Sequence, residues 1–172
     1  MTNKEFFLQT WESEMKSTLS AIKGLPADTS KWSYKCNEKA RSAADLIGHM
    51  LPHAETVSNA TASFIANEHF VPKKFSSTEE ASEYFEKWSN TLMEKVKAMD
   101  DKTWDEQPVE FQVDGNKLGV YPMSAIGWMM LKDIIHHRGQ LSTYYRQMGV
   151  RNPSIYGPTA EDIEAMMAAA KN

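Results

Sequence analysis

The residues of this chain best suited to metal or acid–base chemistry are its histidines, which number five. They are His49, His53, His69, His136 and His137. A single histidine lies more often on the surface or in a satisfied core environment than at a metal, so its type alone decides nothing. The informative feature is therefore the spacing of these residues relative to other polar groups.

Asp133 and His137 fall on one stripe of the last long helix that the sequence predicts. The apolar members of that stripe recur at three- and four-residue steps and are Ile126, Met130, Leu141, Tyr144 and Met148. A carboxylate among apolar residues is unfavourable unless it is paired, hydrogen-bonded or bound to a metal. Since Asp133 and His137 are one turn apart, both can address one point. Three interpretations stay open: a metal site, a buried Asp–His hydrogen bond, and a stripe that faces solvent.

A second pair, His49 and His53, is also one turn apart, on the second predicted helix. Apolar neighbours favour an inward position for His49, whereas His53 is expected nearer the polar boundary. These neighbours are Leu46, Met50 and Leu51. If the two helices face each other, His49 joins Asp133 and His137 in a site that suits Zn²⁺, Ni²⁺ or Fe²⁺ and leaves coordination positions open. A separate zinc site on His49 and His53 is a weaker alternative, because no glutamate follows His49 as in the zincin motif.

Other catalytic arrangements find less support. The chain contains no glycine-rich phosphate loop and no serine nucleophile elbow. Cys36 is the single cysteine, which excludes an intramolecular disulfide and any zinc site built on two cysteines of one chain. Because no histidine lies near Cys36 in sequence, a cysteine nucleophile is a minor alternative. Arg138 and Arg146 could bind an anionic substrate, although arginines on a helix flank are more often solvated.

Helical periodicity dominates the chain and supplies the elements that must position these residues. It predicts long helices over 2–23, 42–65, 77–99 and 123–148 and a short one over 159–171. Alternating residues around Asp114-Gly115 predict a short hairpin before the last long helix, the alternative being an irregular loop. Pro52 interrupts the second helix, so either the helix kinks or a neighbour satisfies the carbonyl group of Gly48. Four long amphipathic helices predict an all-α fold, either a four-helix bundle or a looser arrangement.

The composition limits the domain organisation and the partners. The chain has 172 residues, which suits a single domain over 1–172 with a core that needs no disulfides. A formal net charge of −4 gives no reason to expect a nucleic-acid partner. No apolar run approaches the roughly 18 residues of a membrane-spanning helix, and Met1 to Glu5 has no signal-peptide character. We therefore expect no membrane partner and a cytoplasmic location.

Two segments of the chain form a specific pattern. They are DIIHHRGQLSTYYRQMGVRNPSIYGP, from Asp133 to Pro158, and RSAADLIGHML, from Arg41 to Leu51. Together they resemble the DinB-like (DinB/YfiT) family of small bacterial proteins. The resemblance implies a four-helix bundle in an up-down-down-up arrangement, often dimeric. It also implies a metal held by three side chains, usually histidines, and these positions carry over to His49, Asp133 and His137.

This sequence departs from the family pattern at Asp133, where the family usually has histidine. A carboxylate can ligate Zn²⁺ or Ni²⁺, so two outcomes follow from the resemblance: a site with altered metal preference, or a degenerate site. His136, beside His137, points about 100° away on a helix and is expected to pack or to lie at an interface.

The resemblance also implies an activity, because characterised relatives include thiol-dependent S-transferases and a thiol-dependent maleylpyruvate isomerase. The first hypothesis is a metal-dependent enzyme of the thiol S-transferase type that acts on a small-molecule substrate. In it, Zn²⁺ or Ni²⁺, or else Fe²⁺, activates a low-molecular-weight thiol cosubstrate or water. The second hypothesis is a non-catalytic, stress-associated protein that binds metal or a small ligand at a degenerate site.

Four residues are candidates for substrate binding under the first hypothesis. They are Trp32, Trp128, Arg138 and Tyr144. The three aromatic residues are candidate pocket walls, with core packing as the alternative. The arginine is a candidate partner for a substrate carboxylate, with capping of local backbone as the alternative. The resemblance further implies a homodimer, which Gly127 and Gly139 favour weakly, because small residues let helices approach closely.

Overall fold

Helices make up most of the computed structural model, which describes residues 1–170 of the chain. The helices are α1 (Asn3–Lys23), α2 (Ala43–Met50), α3 (Pro52–Ser63), α4 (Thr78–Ala98), α5 (Asp101–Glu106), α6 (Met123–Ser142) and α7 (Ala160–Ala169), with a 3₁₀ turn at Thr29–Ser33. The strands are β1 (Ile65–Glu68), β2 (Pro108–Val113) and β3 (Asn116–Pro122). Within residues 1–170, no helix combines the length and the apolar character needed to cross a bilayer.

The beginnings of α1 and α2 are set by capping side chains, as the sequence predicts. Thr2 accepts a hydrogen bond from the N–H of Glu5, and the Glu5 carboxylate accepts one from the N–H of Thr2. Ser42 accepts a hydrogen bond from the N–H of Asp45 in the same way. Each contact satisfies an N–H group that has no partner within the helix. The cap at Ser42 fixes where α2 begins and hence the face of α2 on which His49 lies.

Pro52 divides the predicted second helix into α2 and α3. Leu51, the residue between them, keeps right-handed helical angles of −70° and −35°, so the phase of the helix carries through the division. Pro52 has no N–H to donate to the carbonyl of Gly48. The N–H of Lys73 donates to that carbonyl instead, at 2.9 Å. Of the two sequence alternatives, satisfaction by a neighbour is therefore observed.

The predicted hairpin is present as β2 and β3, which pair antiparallel. Asp114 and Gly115 form its turn, with φ of 48° and 77°. Positive φ at both central residues matches the twist of a hairpin, which explains the Asp-Gly pair in the sequence.

The all-α expectation is corrected by a third strand. Ile65–Glu68 forms β1, which pairs parallel with β2 and completes a sheet of order β1-β2-β3. The apolar spacing predicts that Ile65 belongs to the second helix, but Phe64 adopts a left-handed conformation with φ of 54° and ends α3. A strand of four residues is too short to show alternation in the sequence, and its pairing with β2 is a tertiary contact.

Helices α1, α4 and α6 and the α2–α3 pair surround the core. Helix α1 packs on α4 and α6, and the α2–α3 pair packs on α4 and α6 from the other side. Large aromatic side chains fill the space beside α1, where the rings of Phe7 and Trp104 lie 4.6 Å apart. The fold is thus mostly helical, with a small sheet, and the up-down-down-up order stays a prediction.

The C-terminal part departs from the predicted helix ends. Helix α6 ends at Ser142, before the predicted end at Met148, and continues as tight turns in which Tyr144 N–H bonds to Leu141 O at 2.9 Å. The predicted short helix is present as α7, capped by Thr159. The expected last residue of that helix, Lys171, lies outside the described residues.

Candidate metal centre

Three imidazoles converge on one carboxylate oxygen between α2, α3 and α6. The Nε2 atoms of His49, His53 and His137 lie 3.1, 2.7 and 3.3 Å from Oδ2 of Asp133. His49 comes from the last turn of α2, His53 from the first turn of α3, and Asp133 and His137 from successive turns of α6. We refer to these four residues as the histidine–aspartate cluster.

The cluster has the donor atoms of a transition-metal site. His49, His53 and Asp133 each offer one ligand atom, and these atoms lie within 4.8 Å of one another. The ring of His137 lies against the ring of His49, with centroids 4.7 Å apart. Imidazole nitrogen and carboxylate oxygen suit Zn²⁺, Ni²⁺ and Fe²⁺ better than ions that prefer oxygen alone.

The structure brings the three residues expected from the sequence, His49, Asp133 and His137, to one point and adds His53. The expectation that His53 lies near the polar boundary is wrong, because its side chain is 2% exposed and is the most deeply buried of the cluster. The sequence feature that indicates the position of His53 is its spacing of four residues from His49, which places the two imidazole rings on one helix face. Since Leu51 keeps helical angles, Pro52 does not disturb that face.

The outer nitrogen atoms of two rings have partners that set their orientation. Nδ1 of His137 lies 2.8 Å from Oε1 of Gln140, and Nδ1 of His53 lies 3.4 Å from Oε1 of Glu68. An amide oxygen only accepts, so Nδ1 of His137 carries the proton of that hydrogen bond. Such outer partners fix the ring and its tautomer at metal sites. β1 thereby contributes to the cluster, because it carries Glu68.

The tautomer of His137 has a direct consequence at Asp133. With its proton on Nδ1, a neutral His137 presents the lone pair of Nε2 to the Asp133 carboxylate at 3.3 Å. Two acceptors at this distance repel each other unless a cation, either a proton or a metal ion, lies between them. The cluster is therefore arranged to hold positive charge.

The pKa values follow the same pattern. Burial by itself raises the pKa of Asp133, but the interactions of its carboxylate with protonated His137 and with His49 and His53 outweigh burial and hold the pKa of Asp133 well below its usual range. Burial by itself lowers the pKa of His137, but its bonds to Asp133 and Gln140 raise it overall. The carboxylate is thus ionised throughout the physiological range and available as a ligand.

Three cavities reach the cluster from different sides. A cavity of about 190 Å³ adjoins His49 and His53 and is also lined by Glu55, Glu68 and Tyr84. Burial and the hydrogen bond from Tyr84 to Glu55 raise the pKa of Tyr84, so its hydroxyl stays protonated.

The other two cavities lie along α6. One of about 440 Å³ is lined by Asp133 together with Met129 and Phe111. The other, of about 650 Å³, is bounded by His137, His136 and the loop before α2. His136 is exposed and lines both cavities. A small molecule can therefore approach the cluster without displacing any helix.

Among the candidate substrate residues, only Tyr144 lies beside the cluster. Its hydroxyl donates to the backbone oxygen of Arg41 at 3.1 Å and lies 3.5 Å from Sγ of Cys36, on the wall of the 650 Å³ cavity. Trp32 is buried in the core, where its Nε1 donates to the backbone oxygen of Pro26. For Trp32 the alternative of core packing is therefore observed.

Trp128 and Arg138 lie on the opposite face of α6, against α1. Nε1 of Trp128 donates to Asn3, 2.9 Å away. Arg138 is 1% exposed and forms an ion pair with Glu14, while its guanidinium also donates to Thr18 at 3.0 Å. The expected role of Arg138 toward a substrate carboxylate is not supported, because the carboxylate that it binds belongs to this chain.

The two glycines that favoured a dimer lie in different environments. A Cβ on Gly127 would meet the ring of Trp104 at 2.6 Å, so this glycine serves packing within the chain. Gly139 has open space around it. The fifth histidine, His69, is exposed and bonds to Asp114 at 2.9 Å, outside the cluster.

Comparisons with known proteins agree with this architecture. The sequence model of the DinB family matches residues 1–170. The crystal structure of a DinB-like protein from Bacillus subtilis is similar, with a TM-score of 0.64 and 18% identity, covering 89% of this chain and 99% of its own. A DinB-like protein from Bacillus cereus has a TM-score of 0.67 and 22% identity, covering 88% and 97%. At such identity the likeness shows the fold alone. No curated protein sequence matches this chain.

Proposed function

The chain belongs to the DinB family, and from that premise we propose that it is a metal-dependent enzyme of the thiol S-transferase type. The histidine–aspartate cluster would hold one divalent ion. Zn²⁺ and Ni²⁺ suit three imidazoles and a carboxylate, and Fe²⁺ is the third candidate. An ion bound there would supply Lewis acidity, which lowers the pKa of a thiol or of water.

One observation carries this proposal. The hydrogen bond from Nδ1 of His137 to Gln140 turns the lone pair of Nε2 toward the Asp133 carboxylate. Two acceptors in this position need a cation between them. A metal ion meets that need and also suits the Nε2 atoms of His49 and His53, which point to the same oxygen.

The chain's own residues would prepare the reaction by position and by charge. Gln140 and Glu68 hold the rings of His137 and His53 in place, so little reorganisation accompanies binding. In the transfer itself, the thiol loses its proton to solvent and its sulfur bonds to an electrophilic carbon. The leaving group departs with the electron pair of the broken bond.

A second candidate function is a non-catalytic, stress-associated protein with a degenerate site. Its support is that Asp133 already accepts hydrogen bonds from His49 and His53. If those rings carry their protons on Nε2 and His137 is protonated, the cluster is satisfied without metal. Under either function we propose a small-molecule ligand, a homodimer and a cytoplasmic location, with the helices in the up-down-down-up order of a four-helix bundle.

The deciding measurement is the metal content of untagged protein purified without chelators. We expect close to one transition-metal ion per chain and a loss of it in His53→Ala. His69→Ala is the matched control, because His69 also contacts an aspartate but lies outside the cluster. Protein that stays free of metal after incubation with Zn²⁺, Ni²⁺ and Fe²⁺ would favour the non-catalytic function.

Activity is tested separately. Metal-loaded protein should accelerate conjugation of a low-molecular-weight thiol with an electrophile, and His137→Ala should abolish that acceleration. A rate that does not change in His137→Ala would show that the cluster is not the site of transfer.

A further inference from the structure

One wall of the 650 Å³ cavity beside His137 is formed by the loop before α2, which contributes no residue to the histidine–aspartate cluster. We call this cavity the loop cavity. Residues of the segment before α2 form one side, and residues of α6 and the turns after it form the other. Its lining includes Cys36, Lys39, Arg41, His137, Gln140 and Tyr144.

The charge of this lining is of one sign. Lys39 and Arg41 contribute positive charge, and among residues 1–170 no carboxylate lines the loop cavity. The cavity of about 190 Å³ on the other side of the cluster is lined by Glu55 and Glu68 together with Lys73, so its carboxylates outnumber its one lysine. An anionic ligand that approaches the cluster is therefore more favourable in the loop cavity than in the smaller one.

Arg41 is distinguished among the arginines by its lack of an acidic partner. Arg138 pairs with Glu14, Arg146 with Glu161 and Arg151 with Asp162. Within residues 1–170, neither Arg41 nor Lys39 forms an ion pair. A guanidinium offers paired N–H donors that match a carboxylate, and here the chain does not supply that carboxylate.

The backbone of Arg41 is anchored at the loop cavity, and its side chain is exposed. The hydroxyl of Tyr144 donates to the backbone oxygen of Arg41 at 3.1 Å, which anchors the loop to the turns after α6. Arg41 and His137 line the same cavity. A ligand held by Arg41 can therefore extend along the cavity wall to His137.

We infer that the loop cavity binds the carboxylate end of a small-molecule reactant, with Arg41 as its main contact and Lys39 as a second positive charge. This inference rests on the proposed function, since the other end of the reactant would reach the histidine–aspartate cluster. It assigns to Arg41 the role toward a substrate carboxylate that the sequence analysis gave to Arg138.

Cys36 provides a test because it is the single cysteine, is exposed and lines the loop cavity. Iodoacetate and iodoacetamide both alkylate the thiolate and release iodide, but only iodoacetate carries a carboxylate. The ratio of their rates therefore cancels the thiolate fraction and reports the local preference for an anion. We expect Arg41→Gln to lower this ratio about 2- to 3-fold, as removal of one charge several ångströms away implies, and added salt to diminish the difference.

Lys132→Gln is the matched control, because Lys132 lies on α6 and lines the 440 Å³ cavity instead. It removes the same charge and should leave the ratio unchanged. A ratio that Arg41→Gln leaves unchanged, or that Lys132→Gln lowers equally, would overturn the inference.

Ligand protection completes the test. Succinate at millimolar concentration should slow the reaction of Cys36 with iodoacetamide in the wild type and not in Arg41→Gln. Absence of protection by succinate, or protection by inorganic phosphate alone, would overturn the assignment to a carboxylate. Both measurements are made on protein as purified and after chelation. If the protein holds no metal but Cys36 still reacts preferentially with iodoacetate in an Arg41-dependent way, the proposed function is contradicted and the anion site is supported.

Discussion

The residues of the histidine–aspartate cluster differ from the three ligand positions that the family resemblance implies. Asp133 stands where the resemblance implies a histidine, and His53 adds an imidazole from α3 that points to Asp133 from 2.7 Å. The number of imidazoles at the centre is thereby three, as His49, His53 and His137. The carboxylate adds a negative charge, which favours a divalent cation more strongly than three neutral rings would.

Arg138, outside the cluster, also has a role that differs from the one its sequence position suggests. It shares the predicted helix with Asp133, but its guanidinium is buried against α1 and donates to Glu14 and Thr18. A buried charge that loses its partner is strongly destabilising, whereas an exposed pair contributes little. The contribution of Arg138 is therefore to stability.

We predict that Arg138→Met lowers the free energy of unfolding by about 3 kcal/mol, because Glu14 is left without its ion-pair partner. Urea denaturation followed by circular dichroism measures the change. Arg146→Met is the control, since the Arg146–Glu161 pair is exposed and should contribute less than about 1 kcal/mol. Equal and small losses in both variants would contradict the structural role of Arg138.

Among the elements, α2 depends on a close contact with the segment that follows β1. The backbone oxygen of Gly48 accepts a hydrogen bond from Lys73 at 2.9 Å. A Cβ on Gly48 would lie 2.1 Å from the backbone oxygen of Lys73. Glycine at position 48 thus permits the contact that satisfies the carbonyl exposed by Pro52.

We predict that Gly48→Ala destabilises the protein by about 1–3 kcal/mol, because either α2 or the segment around Lys73 must move. Gly139→Ala is the control within a helix, since no atom lies within 4 Å of its ideal Cβ. There, alanine should stabilise by about 0.5–1 kcal/mol through its higher helix propensity. Urea denaturation of both variants checks the signs, and stabilisation by Gly48→Ala would contradict the described contact.

For the whole molecule, metal binding at the proposed site would be coupled to folding. The cluster draws its ligands from α2, α3 and α6, so an ion bound there contacts elements that separate on unfolding. A ligand that binds only the folded state stabilises it in proportion to the logarithm of its concentration.

We predict that Zn²⁺ at about 100 times its Kd stabilises chelator-treated protein by about 2.7 kcal/mol, which raises Tm by roughly 5–10 °C for a chain of this size. Differential scanning calorimetry measures the shift. Mg²⁺, which prefers oxygen ligands, should produce none, and His53→Ala should reduce the Zn²⁺ effect. An unchanged Tm with Zn²⁺, Ni²⁺ and Fe²⁺ would contradict a metal centre.

Several local features of the protein are predictable from the order of its residues. Contacts within a few residues explain the helix starts at Thr2 and Ser42 and the hairpin turn at Asp114-Gly115. The four-residue spacing of Asp133 and His137 likewise places both side chains on one face of their helix. These features depend on backbone geometry and nearby side chains, which the order of residues specifies directly.

The contacts between side chains that are distant in sequence depend on how the helices and strands pack. This packing pairs β1 with β2, brings His53 to Asp133 with Glu68 behind it, and pairs Arg138 with Glu14. The physical reason is that the partners in each of these contacts are far apart along the chain, the nearest pair being His53 and Glu68. Burial and charge pairing at such separations depend on how whole elements pack, which no local pattern contains.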